Sequence, residues 1–242
     1  VMRKCSLAVC KVAMEHGLEP ILQMTCRDRN RIGLQSDLLG ASILGIKNVL
    51  CMTGDHVSAG DHKGAKPVYD IESVQLLKAV DGLNNGKDMS GNELKGTTDF
   101  FQGAVVTPEA NPLEPQLMKF DKKVRAGVKF FQTQAIYDIE KFKEFMKHAR
   151  KFPVKVLAGF VVLKSAGMAN FLNNNVPGIR VPQALIDELK AAGKEKALDT
   201  GMNITARHIK QLKDEKICDG VHIMAIGMED KVPMIMERAG LP

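Results

Sequence analysis

The residues best placed to do chemistry stand just past short apolar runs. Asn48-Val49-Leu50-Cys51-Met52 leads into Thr53-Gly54-Asp55-His56, and Pro20-Ile21-Leu22-Gln23-Met24 leads into Thr25-Cys26-Arg27-Asp28. Glycine lets a backbone approach a ligand closely, so Asp55 beside Gly54 can accept a hydrogen bond from a cofactor ring or stabilise a positively charged intermediate. The alternative is a turn aspartate that caps the next segment. A third run, Phe130-Phe131-Gln132-Thr133-Gln134-Ala135, ends in two amides and a hydroxyl. Carboxamides carry donors and an acceptor, which suits recognition of a planar heterocycle; the alternative is that they satisfy loop backbone groups.

Cationic and nucleophilic residues offer further chemistry. Lys119, Lys122 and Lys123 fall at i, i+3 and i+4, on one helical face where a diphosphate could be neutralised; a solvated lysine stripe has the same spacing. Arg27, Arg29 and Arg31 suit a phosphate or carboxylate, or else a solvated or partner-docking patch. His56 and His62 are proton carriers, ligands or plain polar loop residues. Lys164 would serve as a Schiff-base amine only if desolvated. The cysteines Cys5, Cys10, Cys26, Cys51 and Cys218 are scattered, with no CxxC pair and no matching histidine spacing. That pattern indicates reduced thiols and no metal site, and the scattered methionines, Met168, Met202 and Met224 among them, read as fillers of core gaps.

Positioning these residues takes a repeating unit. Strands are expected at Pro20–Met24, Asn48–Met52, Gly103–Val106, Lys129–Thr133, Lys155–Phe160 and Val221–Ile226. Helices are expected at Cys5–His16, Leu34–Leu44, Ile71–Val80, Glu114–Ala126, Ile139–Arg150, Pro182–Ala192 and Ile204–Asp214. Alternation of this kind implies a parallel sheet with right-handed crossovers. The fold class is therefore α/β, a (β/α)8 TIM barrel, in which the C-terminal strand ends form the active-site face. Six strands are two short of eight, so residues 1–242 read as one barrel domain whose first strand, first helix and second strand are expected before Val1. An open doubly wound sheet is the competing topology. Residues 84–99 read as an inserted polar surface loop, functional or mobile.

Composition excludes several classes. At 242 residues and 45% hydrophobic the chain can bury a sizeable core. Its formal charge of +6 is dispersed, with no Trp and two Tyr, unlike a basic nucleic-acid footprint with aromatic stacking platforms. No apolar run approaches the roughly 20 residues of a membrane span, and no signal peptide opens the chain; the expected location is the cytoplasm.

Taken in order, five motifs resemble methylenetetrahydrofolate reductase: Gln23-Met-Thr-Cys-Arg-Asp-Arg-Asn-Arg31, Thr53-Gly-Asp-His56, Lys66-Pro-Val-Tyr-Asp-Ile-Glu-Ser73, Lys122-Lys-Val-Arg-Ala-Gly127 and Phe130-Phe-Gln-Thr-Gln-Ala-Ile-Tyr-Asp138. The resemblance extends through Leu163–Met168 to Gly220–Gly227, essentially the whole chain. It implies a flavin-containing barrel that reduces 5,10-methylenetetrahydrofolate to 5-methyltetrahydrofolate by hydride transfer, with FAD as cofactor and FMN as the alternative. By resemblance, Gln23 and Thr25 approach the flavin, and Thr53, Gly54 and Asp55 run under its ring. Tyr69 and Asp70 contact its ribityl and nucleotide portion, Thr107 belongs to a flavin-side loop, and Lys119, Lys122 and Lys123 meet the phosphates. Gln134 holds the folate pterin. Asp55 and Gln134 are thus the implied catalytic residues and both meet substrate, the Asp55 carboxylate favouring a cationic iminium form of it. The ring chemistry belongs to the flavin.

Departures from the pattern matter too. The family's general acid is a Glu on the first strand, expected upstream. Ile226-Gly227-Met228-Glu229 carries no Arg where some members meet the folate's glutamate tail. These features resemble the anaerobic one-carbon-pathway branch, which implies electrons from NAD(P)H or from an electron-transferring partner protein, in an oligomer or hetero-complex. A flavin-binding relay or docking subunit without turnover of its own is the rival reading. An aldolase-like barrel using Lys164 is a second.

Overall fold

The computed structural model describes residues 2–241. Its strands are β1 (Ile21–Thr25), β2 (Asn48–Met52), β3 (Phe101–Val106), β4 (Phe130–Ala135), β5 (Lys155–Val161) and β6 (Gly220–Met224). They form one sheet in the order β1-β2-β3-β4-β5-β6, with β1 on β2, β2 on β3 and β5 on β6 all parallel. A doubly wound sheet reverses its order at a switch point. This sheet follows chain order throughout, which rejects that topology and is the TIM-barrel type of α/β arrangement. The chain divides into two compact units, Val1–Val105 with Asp121–Phe130, and Val106–Phe120 with Phe131–Pro242.

In the first unit, α1 (Ser6–Glu15), α2 (Arg31–Ile43) and α3 (Ser73–Asn84) alternate with β1, β2 and β3. Asn30 starts α2 by accepting the N–H groups of Ile32 and Gly33, and Glu72 with Gln75 forms a capping box on α3; such caps satisfy orphan helix donors. Val49, Leu50 and Cys51 of β2 are all buried, as expected of a parallel strand covered on both faces. In β1 only Leu22 and Met24 are buried, while Gln23 on the opposite face is exposed. Residues 84–99 are tied down. The Asp88 carboxylate accepts Ser90 N–H, Asn92 N–H and Asn92 Nδ2–H, each at 2.8 Å, and Met89 N–H donates to Gln35 Oε1 at 2.8 Å.

The second unit carries α5 (Ile139–Ala149), α6 (Ala166–Asn175), α7 (Gln183–Asp214) and α8 (Val232–Arg238). Along α5 the buried set Ile139, Phe142, Phe145, Met146 and Ala149 has helical spacing. Phe120 of α4 (Glu114–Arg125) stacks on Phe131 at 4.2 Å between centroids and meets Phe145 edge-on at 5.6 Å. Each such fully buried ring contributes roughly 1.5–3 kcal/mol. Two features differ from expectation. The helices expected at 182–192 and 204–214 are one element, α7, interrupted only at Gly193, and α6 and α8 were not anticipated. Among the described residues, no helix is long and apolar enough to cross a membrane.

Candidate functional site

The C-terminal ends of β1 and β2 meet in the first unit. Cys26 N–H donates to Met52 O at 3.0 Å, prolonging the strand pairing by one residue. The chain then turns at Gly54 with φ +88°, where a Cβ would lie 3.0 Å from Thr25 Cβ and 3.2 Å from Arg27 Cβ. Only glycine fits that conformation without displacing its neighbours. The turn leaves Asp55 exposed. Its main-chain carbonyl accepts the Tyr69 hydroxyl at 2.9 Å and Arg27 Nη1 at 3.3 Å, and the same hydroxyl lies 3.3 Å from Gly54 O.

Tyr69 makes those contacts from a left-handed backbone, φ +43°, a conformation that costs a bulky residue on the order of 1–3 kcal/mol. His56 lies parallel to the Tyr69 ring, with centroids 6.5 Å apart and an interplanar angle of 19°. Its Nδ1 lies 2.8 Å from Ser58 Oγ and accepts Ser58 N–H at 3.3 Å. A cleft of about 520 Å³ opens here, lined by Thr53, Gly54, His56, Tyr69, Asp70 and Glu72 among others. Thr53 Oγ1 accepts Ser73 N–H at 3.3 Å, so it also fastens the start of α3.

Neighbouring charges are largely paired. Asp70 accepts Arg31 Nε at 2.8 Å, Arg31 Nη2 at 3.0 Å and Arg31 N–H at 2.9 Å; the guanidinium holds its carboxyl down at about 2. Arg27 pairs with Asp28 and Arg29 with Asp37, both at 2.8 Å. The three arginines are therefore matched by aspartates of the same unit. His62 is exposed and paired with Asp61 at 2.7 Å. Thr25 Oγ1 donates to Asp28 at 3.2 Å, and Gln23 is exposed on the same face of β1.

The expected three-lysine face does not form. Lys119 and Lys122 are exposed, but Lys123 is only 8% exposed and its Nζ donates to Val105 O at 2.6 Å. Phe120, Lys123 and Ala126 are all buried at i, i+3 and i+6, so Lys123 belongs to the inward side of α4.

In the second unit, Gln134 is half-buried near the end of β4, and its Oε1 accepts Ala135 N–H at 3.3 Å. Thr133 Oγ1 donates to Gln134 O at 2.7 Å and accepts Gly159 N–H at 2.8 Å. Thr107, half-buried at the end of β3, sets its methyl where a Cβ on Gly178 would stand, 2.3 Å away. Sequence reasoning passed over Glu109. It is 6% exposed, and Oε1 accepts Tyr137 N–H at 2.7 Å and Asp138 N–H at 2.8 Å. Burial pushes its carboxyl above the usual range. An acidic residue just past a strand, in Thr107-Pro108-Glu109, was the available signal. Lys164 is exposed and donates to Ile226 O at 3.0 Å, so the desolvated amine that an aldolase-like site requires is not formed. Among the described residues, no cluster of three His, Cys, Asp or Glu could hold a metal ion.

Comparison with known proteins places the chain. The profile of the family described as methylenetetrahydrofolate reductase matches residues 1–240. Methylenetetrahydrofolate reductase 2 of Schizosaccharomyces pombe is 25% identical over 260 residues, covering 98% of this chain and 38% of that protein. The probable methylenetetrahydrofolate reductase (NADPH) of Caenorhabditis elegans is 20% identical over 230 residues, covering 93% of this chain and 33% of its own. The chain thus spans 33–38% of the length of these curated relatives. Among solved structures, a Clostridium thermocellum protein described as binding two copies of 5-methyl-5,6,7,8-tetrahydrofolic acid superposes with a TM-score of 0.57 at 14% identity, covering 90% of this chain and 70% of that one. At that identity the likeness establishes the fold. With its strand-end motifs in order and residues 1–240 matched, the chain belongs to the methylenetetrahydrofolate reductase family.

Proposed function

We propose that this protein reduces 5,10-methylenetetrahydrofolate to 5-methyltetrahydrofolate, with Asp55 and Gln134 as its catalytic residues and a bound flavin, FAD in the first instance. The observation that carries the reading is the Thr25–Gly54–Asp55 turn. It offers an exposed carboxylate on a backbone held by Tyr69 and Arg27, between Gly54 and His56, which line a cleft of about 520 Å³. In a family member that is where charge at a reacting heterocycle would be controlled.

The residues present suit a flavin. The Gly54 turn has no room for a Cβ and brings bare backbone to the cleft, while Gln23, Thr25 and the Tyr69 ring supply polar and aromatic surface. Lys119 and Lys122 are the exposed amines of α4 available to phosphate. The flavin, when bound, supplies the hydride chemistry. Asp55 favours positive charge on the substrate, and placed charge of this kind is worth most where water is scarce. Gln134 orients the pterin through its carboxamide, whose acceptor end is held by Ala135 N–H. Arg27 and Tyr69 fix the peptide that bears Asp55.

An absorption spectrum of the purified protein, with and without anaerobic 5-methyltetrahydrofolate, tests this. Flavin bands that bleach on addition support the reading. Bands that stay unchanged favour a relay or docking subunit, and absence of flavin after reconstitution rejects it. Anaerobic titration of the same sample with NADPH or NADH then separates a nicotinamide donor from a protein donor.

A further inference from the structure

Every backbone N–H from Ala135 to Asp138 has an identified acceptor. Ala135 N–H reaches Gln134 Oε1 at 3.3 Å and Ile136 N–H reaches Gly159 O at 2.9 Å. Tyr137 and Asp138 N–H both converge on Glu109 Oε1, at 2.7 and 2.8 Å. Two of the four bonds are thus accepted by one carboxylate oxygen, 28 and 29 residues away in sequence. Beyond them, the Tyr137 hydroxyl donates to Val161 O at 2.7 Å, and Asp138 caps α5 through Lys141 N–H at 3.1 Å. The segment after β4 is therefore joined to Glu109 and to the end of β5 through polar contacts.

The other oxygen, Glu109 Oε2, is buried and has no hydrogen-bond partner among the described residues. A buried acceptor left unmatched is unfavourable. The local backbone requires only one oxygen that takes two N–H groups at this reach, and among the described residues no cation is hydrogen-bonded to the carboxylate, Lys141 acting on it only through space. What Glu109 accomplishes is geometric: it sets the path of the residues immediately after Gln134.

We propose that Glu109 is the positioning residue for Gln134. By gathering the Tyr137 and Asp138 N–H groups it fixes the β4 exit and with it the direction of the Gln134 carboxamide. Losing it frees two amides to seek other acceptors. The nearest consequence is competition for Gln134 Oε1, already engaged by Ala135 N–H in a long bond. The inference rests on the reading of Gln134 as a folate contact and extends it to a residue that touches no ligand.

The test is calorimetric titration of the full chain with 5-methyltetrahydrofolate, for wild type, Glu109→Ala, Glu109→Gln, Glu109→Asp, Gln134→Ala and the Glu109→Ala/Gln134→Ala pair, with circular dichroism as the fold control. Expected are a rise in Kd of about tenfold or more for Glu109→Ala, near-wild-type binding for the isosteric Glu109→Gln, and poor rescue by the shorter Glu109→Asp. The double variant should bind no worse than Gln134→Ala alone, because the two act as one unit. A folded Glu109→Ala with wild-type affinity, or losses that multiply in the double variant, overturns the proposal. Rescue by Asp and not by Gln overturns it too, since charge rather than reach would then matter. Should Glu109→Ala fail to fold, the Gln and Asp ranking decides. Unchanged binding in Gln134→Ala, by contrast, rejects the reading of Gln134 itself.

Discussion

The Tyr69 hydroxyl donates to the main-chain carbonyl of Asp55 at 2.9 Å, across 14 residues of sequence. The carboxylate of Asp55 is left to face outward while its peptide is gripped from behind. Removing the hydroxyl alone, in Tyr69→Phe, should destabilise the protein by about 1 kcal/mol and loosen the turn. A urea melt together with flavin titration checks this; an unchanged midpoint with unchanged flavin affinity would contradict it.

Gly54 and Gly91 share a φ of +88°, but a Cβ at Gly54 would press on Thr25 and Arg27 whereas nothing lies within 4 Å at Gly91. Gly91→Ala therefore reports backbone strain alone, roughly 1 kcal/mol, and Gly54→Ala should cost more, on the order of 2–3 kcal/mol. Paired thermal melts give the difference directly. Equal losses would mean that the crowding around Gly54 relaxes without penalty.

On the proposed function, Asp55→Asn should keep flavin yet lower the rate of folate reduction by roughly 10²-fold, the scale of losing one placed electrostatic group. Gln134→Ala should instead weaken folate binding. Steady-state kcat and KM separate the two, and wild-type turnover in both variants would dismiss the site assignment.

His208 on α7 is buried, and burial, with the adjacent Arg207 guanidinium adding to it, pushes its imidazole down to about 4. Unfolded, the ring titrates near 6.5. Between those values the unfolded chain binds a proton that the folded chain refuses, so stability is retained above about pH 6.5 and falls as pH drops towards about 4. The loss should reach at most about 3 kcal/mol, and His208→Gln should abolish it. Denaturant melts at about pH 7 and about pH 4 compare the two proteins; parallel pH dependence in both would refute the assignment.

Much of this molecule was readable from residue order. The β2 span, Asn48–Met52, is as expected and β1 is displaced by one residue, because a β-branched or apolar run bounded by polar turns has few other solutions. What escaped depended on contacts between distant residues. The α6 segment, Ala166-Gly-Met-Ala-Asn-Phe-Leu-Asn-Asn-Asn175, has weak helix formers and is held by the Ser165 cap and the burial of Ala169 and Leu172. The middle of α7 reads as polar and glycine-containing, yet Ala197, Gly201 and Met202 are buried there. In the site, the position of Asp55 beside Gly54, just past β2, was legible from residue order. The inward turn of Lys123 needed the direction of Phe120 and Ala126, and the clamp of Glu109 on Tyr137 spans 28 residues, beyond any local motif.

Arg27, Arg29 and Arg31 each lie within 2.8 Å of an aspartate oxygen. The segment entering α2 is thus zwitterionic rather than cationic, and opposite charges this close cancel at distances beyond a few ångströms. The chain's surplus of positive charge resides elsewhere, so this rim exerts little long-range pull on an approaching anion. Encounter with an anionic ligand at this rim should then be nearly insensitive to ionic strength, and recognition there is a matter of contact, not of attraction from afar.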